Sequence, residues 1–273
     1  MIKRLFPPKT GNKRALISIA HADDLVLFAG GTVITLVNAN WEVAVIRATD
    51  DRWDSFGLTE QETIRRNKRE FDSAMDAIGI TTVYELNLPT DLLGDASEVE
   101  LRKEYIKVIR EFKPYLIIGF DPDSFLYEDN QDHRLVAVAM AEASWAAGFD
   151  KHPNAGLKKL EPHLPVANWY FGREVAEPTH YFDVTPVFSK AVETACEHKT
   201  MLINMARQID IKATTAKMQS DITSQVEKSP KKFAHQIMEV SRIKKVKGVE
   251  FAEIFRVIDS TNLIRNLQQG KRY

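Results

Sequence analysis

The chain has one cysteine, Cys196, which excludes an intrachain disulfide framework and a thiolate-caged metal site. It also lacks a long apolar run. The longest stretch free of charges and amides runs from Leu25 to Val37 and includes two glycines and two threonines. That falls short of the roughly 20 apolar residues a membrane span needs. Neither sign of charge is in excess: Lys plus Arg number 37 and Asp plus Glu 38, a formal net charge of −1. There is thus no electrostatic case for nucleic acid or an acidic membrane as partner. Met1 to Arg14 is basic but has no apolar stretch, so no secretory leader is expected. No repeat or low-complexity tract interrupts the sequence. The expectation is a cytoplasmic protein with a reduced thiol. Its 273 residues suffice for one large domain or two small ones.

What is present is an alternation. Short apolar runs bounded by polar or turn residues predict strands at 14–20, 43–49, 82–86, 115–120 and 168–171. Helical patterns lie between them, at 24–38, 61–78, 97–112 and 133–147. Gly79 is a natural stop for the second helix. Ser97 and Glu100 have capping-box spacing at the start of the third, and Pro114 forbids its continuation. Strand–helix alternation predicts an α/β domain with a mostly parallel sheet over about 14–150. Prolines at 153, 162, 165, 178 and 186 predict loops and one or two late strands. From Pro186 onward the pattern reads as helical and increasingly basic, with Val240, Ile243 and Val246 as an apolar stripe and Phe251, Ile254 and Phe255 as a later cluster. The expected organisation is a single domain over 1–273, with a core at about 14–200 and a helical carboxy-terminal extension at about 201–273.

In an open parallel sheet, ligands bind at the carboxyl ends of the strands. The first strand is followed by Ala20-His21-Ala22-Asp23-Asp24. Gly30-Gly31 comes later and does not match the G-x-G-x-x-G of a nucleotide site; close packing on the sheet accounts for it. Imidazole nitrogen and carboxylate oxygen together suit zinc. His21 and Asp24 are three apart across a strand-to-helix turn, where both can curl toward one point, leaving Asp23 free as a base. The plain alternative makes one aspartate a helix cap and His21 incidental. His180 and Asp183 share the spacing but read as a strand, where residues three apart face opposite ways; that pair is expected to be structural.

The strand at 115–120 ends on a second cluster: Asp121-Pro122-Asp123, a loop, then Asn130-Gln131-Asp132-His133 opening an alanine-rich helix. His133 could complete a zinc set with His21 and Asp24, leaving a fourth position for water. The alternative has Asp132 as a cap and His133 on the surface.

Together the two clusters resemble the LmbE-like (PIG-L) zinc N-deacetylases. Their first motif, A-H-P-D-D, is similar to residues 20–24 and is followed here by Gly30-Gly31-Thr32. Their second, H-P-D-H, is similar to residues 130–133. Weaker likenesses continue through Ala48-Thr49-Asp50, Glu70, Ala74, Ile78-Gly79, Asp183-Val184-Thr185 with Lys190 and His198, and the closing Ala252-Glu253-Ile254-Phe255. The resemblance implies a Rossmann-like sheet flanked by helices. It implies His21, Asp24 and His133 as Zn2+ ligands, Asp23 as general base and Asp132 orienting its neighbours. Ala22 stands in place of the family proline, and Leu25 in place of a frequent acidic residue. Asn130 stands where the family often has a histidine that stabilises the developing oxyanion; asparagine can donate a hydrogen bond there but carries no charge. His198 and His180 are candidates to help.

The implied substrate is a small N-acyl amino sugar of the N-acetylglucosamine type, or its conjugate. Asp50, Arg52, Arg66 and His198 are expected to contact it. Arg65, Arg66 and Arg69, after an aromatic loop with Trp53 and Phe56, read either as a lid with cations for an anionic tail or as a solvated helix face. Trp169, Tyr170 and Arg173 could line the mouth. A non-sugar amide or thiol conjugate as substrate, and a catalytically weak metal-containing sugar binder, are the competing readings. A homo-oligomer is left open.

Overall fold

The computed structural model describes residues 2–9, 11–151, 160–240 and 248–269. In chain order the elements begin with β1 (Lys3–Arg4), β2 (Arg14–Ile19), α1 (Asp24–Asn38), β3 (Glu42–Thr49), α2 (Glu60–Ile78) and β4 (Thr82–Leu88). They continue with α3 (Glu98–Phe112), β5 (Leu116–Phe120), α4 (Gln131–Ala146), β6 (Ala167–Phe171), β7 (His180–Asp183) and α5 (Phe188–Ala195). Last come α6 (Lys199–Thr215), α7 (Ile222–Lys228), α8 (Pro230–Val240), β8 (Ala252–Asp259) and α9 (Thr261–Gln268). The five strands and four helices expected from periodicity all form.

The local signals work as their chemistry dictates. Thr59 and Glu62 close a full capping box on α2, and Gly79 ends that helix with φ at +93°, a conformation that favours glycine. Ser97 Oγ accepts from the Glu100 N–H at the start of α3.

The eight strands form one sheet in the order β1-β7-β8-β6-β5-β2-β3-β4. β4, β3, β2, β5 and β6 run parallel. After their first residues, β2 and β3 are buried throughout, as is all of β5. That is why they read as largely apolar runs, with Ser18 and Arg47 as buried polar exceptions, rather than as alternating ones. The chain leaves β2 toward β3 and β4 on one side and later returns to place β5 on the other. The β2–β5 boundary is therefore the topological switch point, where open α/β sheets form their crevice. Both polar clusters leave the sheet there.

The carboxy-terminal part departs from expectation. It is helical from α5 through α8, but Ala252–Asp259 is a strand, not a helix. β8 pairs antiparallel with β6 on one side and β7 on the other. The cluster of Phe251, Ile254 and Phe255 marks the start of a strand that joins β6 to β7, and the preceding basic run obscured the change of period. Ile243, Val246 and the Val240 side chain of the expected stripe lie outside what is described.

β8 also braces α1. That helix is interrupted at Ala29 (φ −139°, ψ 16°). The buried Glu253 carboxylate accepts from the Gly31 N–H at 2.9 Å and the Thr32 N–H at 2.8 Å, just past the break. A carboxylate on the first N–H groups of a helical segment suits both their missing partners and the helix dipole. A Cβ on Gly31 would come within 2.5 Å of the Val184 side chain, so Gly31 serves close packing, whereas a Cβ on Gly30 would meet only ordinary contacts at 3.4 Å and beyond.

Candidate active site

β2 ends at Ile19, and the chain turns into α1 through His21-Ala22-Asp23. Asp24 shapes that turn: its Oδ2 accepts from the backbone N–H of Ala20 at 3.0 Å and of His21 at 2.7 Å. Asp23 occupies the cap position of α1, but its side chain makes no capping bond. The plain reading of this aspartate as a cap is therefore not realised. Its carboxylate is buried, at 6% exposure, and lines the cavity.

Beyond β5 the cap of α4 is Asn130, not Asp132. Asn130 Oδ1 accepts from the N–H of Asp132 at 2.9 Å and of His133 at 3.3 Å. With Oδ1 committed, Nδ2 is the atom of this cavity-lining side chain left to donate. Asp132 and His133 are both buried. The Phe120 ring stacks on the His133 imidazole with centroids 4.0 Å apart, fixing its plane.

The two clusters converge. His21, Asp24 and His133 each bring one donor atom to a common point, all within 4.8 Å of one another. His21 Nδ1 and His133 Nε2 are 3.1 Å apart, and His133 Nε2 lies 3.2 Å from Asp24 Oδ1. The opposite face of each ring meets its own carboxylate. His21 Nε2 is 3.3 Å from Asp132 Oδ2, and His133 Nδ1 is 3.3 Å from Glu128 Oε2. Those last two atoms are buried and have no other polar partner among the described residues, so each is the other's only outlet. Two imidazoles and a carboxylate, each imidazole backed by a further carboxylate, form a donor set that fits a divalent cation such as zinc.

Burial and charge set the proton affinities. Burial disfavours charged His21, but the Asp132 bond and the Asp24 charge outweigh it and hold the pKa well above the ordinary value. Burial, then the neighbouring Asp24 charge, lift the Asp23 carboxyl well above the usual carboxylate range. Asp51 is pushed up to about 7 by burial, with Arg47 opposing.

A cavity of about 790 Å3 opens above these groups, a size suited to a small ligand. Arg173 and Phe171 line it; Trp169 and Tyr170 do not, and both rings are buried. Asp50, Arg52, Arg66 and His198 are not among the lining residues either. Asp50 and Arg52 pair with each other at 2.6 Å. Arg66 is exposed on α2. The Phe56 ring of the aromatic loop lies under Arg207, and the Trp53 indole donates to Glu60. His198 is buried at 1% exposure, with neither ring nitrogen partnered among the described residues. Burial, then the Arg47 charge, lower its pKa to about 4. His180 and Asp183 sit on β7, and Asp183 pairs with Arg4 at 2.7 Å.

Further residues support the site; of these Asp51, read from the sequence with Asp50 and Arg52 as a pocket residue, does not line the cavity. Asp51, at a left-handed φ of +57°, accepts from the Ala22 N–H at 3.3 Å and from buried Arg47 at 2.9 Å. Asn67 donates to the carbonyls of Asp51 and Asp54, both at 3.2 Å. Asp54 and Asp91 line the cavity, and the Asp91 N–H donates to Asp132 Oδ2 at 2.7 Å.

Residues 16–144 match the PIG-L family model, described as GlcNAc-PI de-N-acetylase. The diacetylchitobiose deacetylase of Thermococcus kodakarensis is 27% identical over 197 residues, 69% of this chain and 70% of that protein. The solved structure of the N,N'-diacetylchitobiose deacetylase from Pyrococcus horikoshii aligns with a TM-score of 0.71 at 21% identity, over 90% of this chain and 84% of that one. The 4-carboxy-2-hydroxymuconate hydratase from Pseudomonas putida aligns with a TM-score of 0.55 at 15% identity, over 90% and 95%. The last two share this fold, although one is named for a deacetylation and the other for a hydration. The fold by itself therefore does not select the reaction.

Proposed function

Because residues 16–144 make this chain a member of the LmbE-like (PIG-L) family, we propose that it is a zinc-dependent N-deacetylase. Its substrate is an N-acetylglucosamine-type sugar or glycoconjugate. The observation that carries the reading is the convergence of His21, Asp24 and His133 within 4.8 Å beside an Asp23 carboxylate that caps nothing. The similarity to the Thermococcus kodakarensis deacetylase supports the substrate class.

His21 Nδ1, His133 Nε2 and an Asp24 oxygen would hold the ion. When bound, it supplies Lewis-acid polarisation of the amide carbonyl and activates water at neutral pH. Asp23 accepts the proton of the attacking water. Its raised pKa brings it nearer neutrality, where one carboxyl can accept a proton and then deliver it. The Asn130 Nδ2 amide donates toward the developing oxyanion. Asp23, now protonated, returns the proton to the departing amine, leaving a free amino sugar and a carboxylate. Asp132 and Glu128 hold the two imidazoles in orientation. The chain works as one domain, since β8 lies hydrogen-bonded within the sheet next to β6, and the proposed compartment is the cytoplasm.

Asp23→Asn tests the assignment. It should keep its metal and lose about 10²–10⁴-fold in turnover, the usual share of a general base. Amine release from N-acetyl sugars, read beside metal content, checks both halves. Turnover near wild type would remove Asp23 as the base.

A further inference from the structure

The wall of the cavity has a chemistry unlike its floor. Met201, Asn204, Met205 and Gln208 of α6 all line it, at spacings that place them on one face of the helix. They form two neighbouring rows four residues apart: Met201 with Met205, and Asn204 with Gln208. Met201 is buried, Asn204 and Met205 are half-buried and Gln208 is exposed. The face thus climbs about 10 Å from the interior to the mouth. Ile237 of α8 and Ile254 of β8 extend the apolar row. Thioether side chains adapt to varied apolar shapes, and the adjoining amides offer donors and acceptors to hydroxyl groups.

The charge of the lining is one-sided. Asp23, Asp24, Asp54, Asp91, Glu174 and Glu253 line the cavity, against a single guanidinium among the described residues, Arg173. That guanidinium is already engaged, 3.3 Å from Glu128 and 3.0 Å from Asp129. Even with a divalent cation held by Asp24, acidic side chains outnumber basic ones in the described lining. A phosphate or carboxylate on the substrate would meet repulsion and no free cationic side chain among the described residues.

We propose that the site takes N-acyl amino sugars carrying an uncharged, apolar aglycone, with the sugar hydroxyls along the Asn204–Gln208 row and the aglycone along the Met201–Met205 row. This rests on the deacetylase reading above and narrows its substrate class. It also disfavours the lid-and-cation reading of Arg65, Arg66 and Arg69, none of which lines the cavity.

The test uses three β-glycosides of N-acetylglucosamine, with methyl, hexyl and 5-carboxypentyl aglycones, titrated calorimetrically into the metal-loaded protein. Amine release from each is followed separately. The hexyl glycoside should bind at least about 10-fold more tightly than the methyl one, which burial of two methylenes suffices to provide. The carboxypentyl glycoside, of similar length, should bind no more tightly than the methyl one. Met205→Gln should weaken hexyl binding more than methyl binding, and Glu174→Lys should narrow the gap between carboxypentyl and hexyl. Equal affinities for methyl and hexyl, or carboxypentyl binding as tight as hexyl, would overturn the proposal even if every glycoside were deacetylated. The expected binding order with no amine released would uphold the substrate preference and refute the deacetylase reading instead.

Discussion

The floor and the wall of the cavity are built by opposite means. The floor comes from the ends of β2 and β5. Its groups are buried, charged and bonded to one another: Asp24 to its own turn, His21 to Asp132, His133 against Glu128. The wall comes from α6, α8 and β8. It is apolar with a row of amides, and Gln208 reaches solvent. A floor of interlocked charges tolerates little change, because each group is held by one that would otherwise be buried unpaired. A wall of methionines and amides can vary its contacts without disturbing the floor. On the proposed reading, chemistry is fixed at the switch point of the sheet, and selectivity falls to the part of the chain beyond the residues that match the family model.

Glu253 is where this division should break most visibly. It belongs to β8, yet it holds the N–H groups of Gly31 and Thr32 in the helix that begins with Asp24. Glu253→Ala leaves two buried donors without their acceptor, a cost of about 2–6 kcal/mol at 1–3 each. Chemical denaturation checks this, and a loss below 1 kcal/mol would show that the wall does not support the floor.

His198 offers a contrast among the buried histidines. His21 and His133 are backed by carboxylates and have raised pKa values. His198 has no polar partner among the described residues, and its pKa falls to about 4. Its folded pKa lies below the unfolded value of about 6.5, so the unfolded chain binds the proton more tightly. Stability from this group is present above about pH 6.5 and declines as pH falls toward 4. The loss approaches about 3 kcal/mol at pH 4. In His198→Asn that part of the slope should vanish, as melting curves at pH 7 and pH 4.5 would show. An unchanged slope would mean the imidazole is solvated.

Glu128 sharpens the account of the floor. Glu128→Gln removes the charge behind His133 and should weaken metal binding about 10–100-fold, the usual effect of losing such a support. Competition with a chromogenic chelator reads this directly. Wild-type affinity would leave Glu128 as a partner of Arg173 and of the Asn130 N–H, with no part in the metal site.

How much of this the sequence showed depended on the range of the forces involved. The residues that converge, His21, Asp24 and His133, were legible because each cluster is local, lying within a few residues of a strand end. The partners of the ligands were not. Glu128 and Asp132 each sit near His133 in sequence, yet Asp132 backs His21 across the sheet crevice, a choice made by tertiary packing. On α2 the signal was present but offset by one residue. Thr63, Asn67, Phe71, Ala74 and Ile78 form the buried stripe, so the amide within that stripe, not the neighbouring Arg66, braces the site loop. β8 was hidden because a strand buried between two others late in the chain follows a long helical and basic stretch. The Met201–Gln208 face reads from sequence as ordinary helix; only its position over the crevice gives it a role.

The most direct test of the central claim is zinc per chain by elemental analysis, on wild type and His133→Ala side by side. About one zinc in wild type and little in the variant is the expected result, since His133 supplies one of three donors drawn from two distant motifs. An equal metal content in both, or none in wild type after loading, would contradict it.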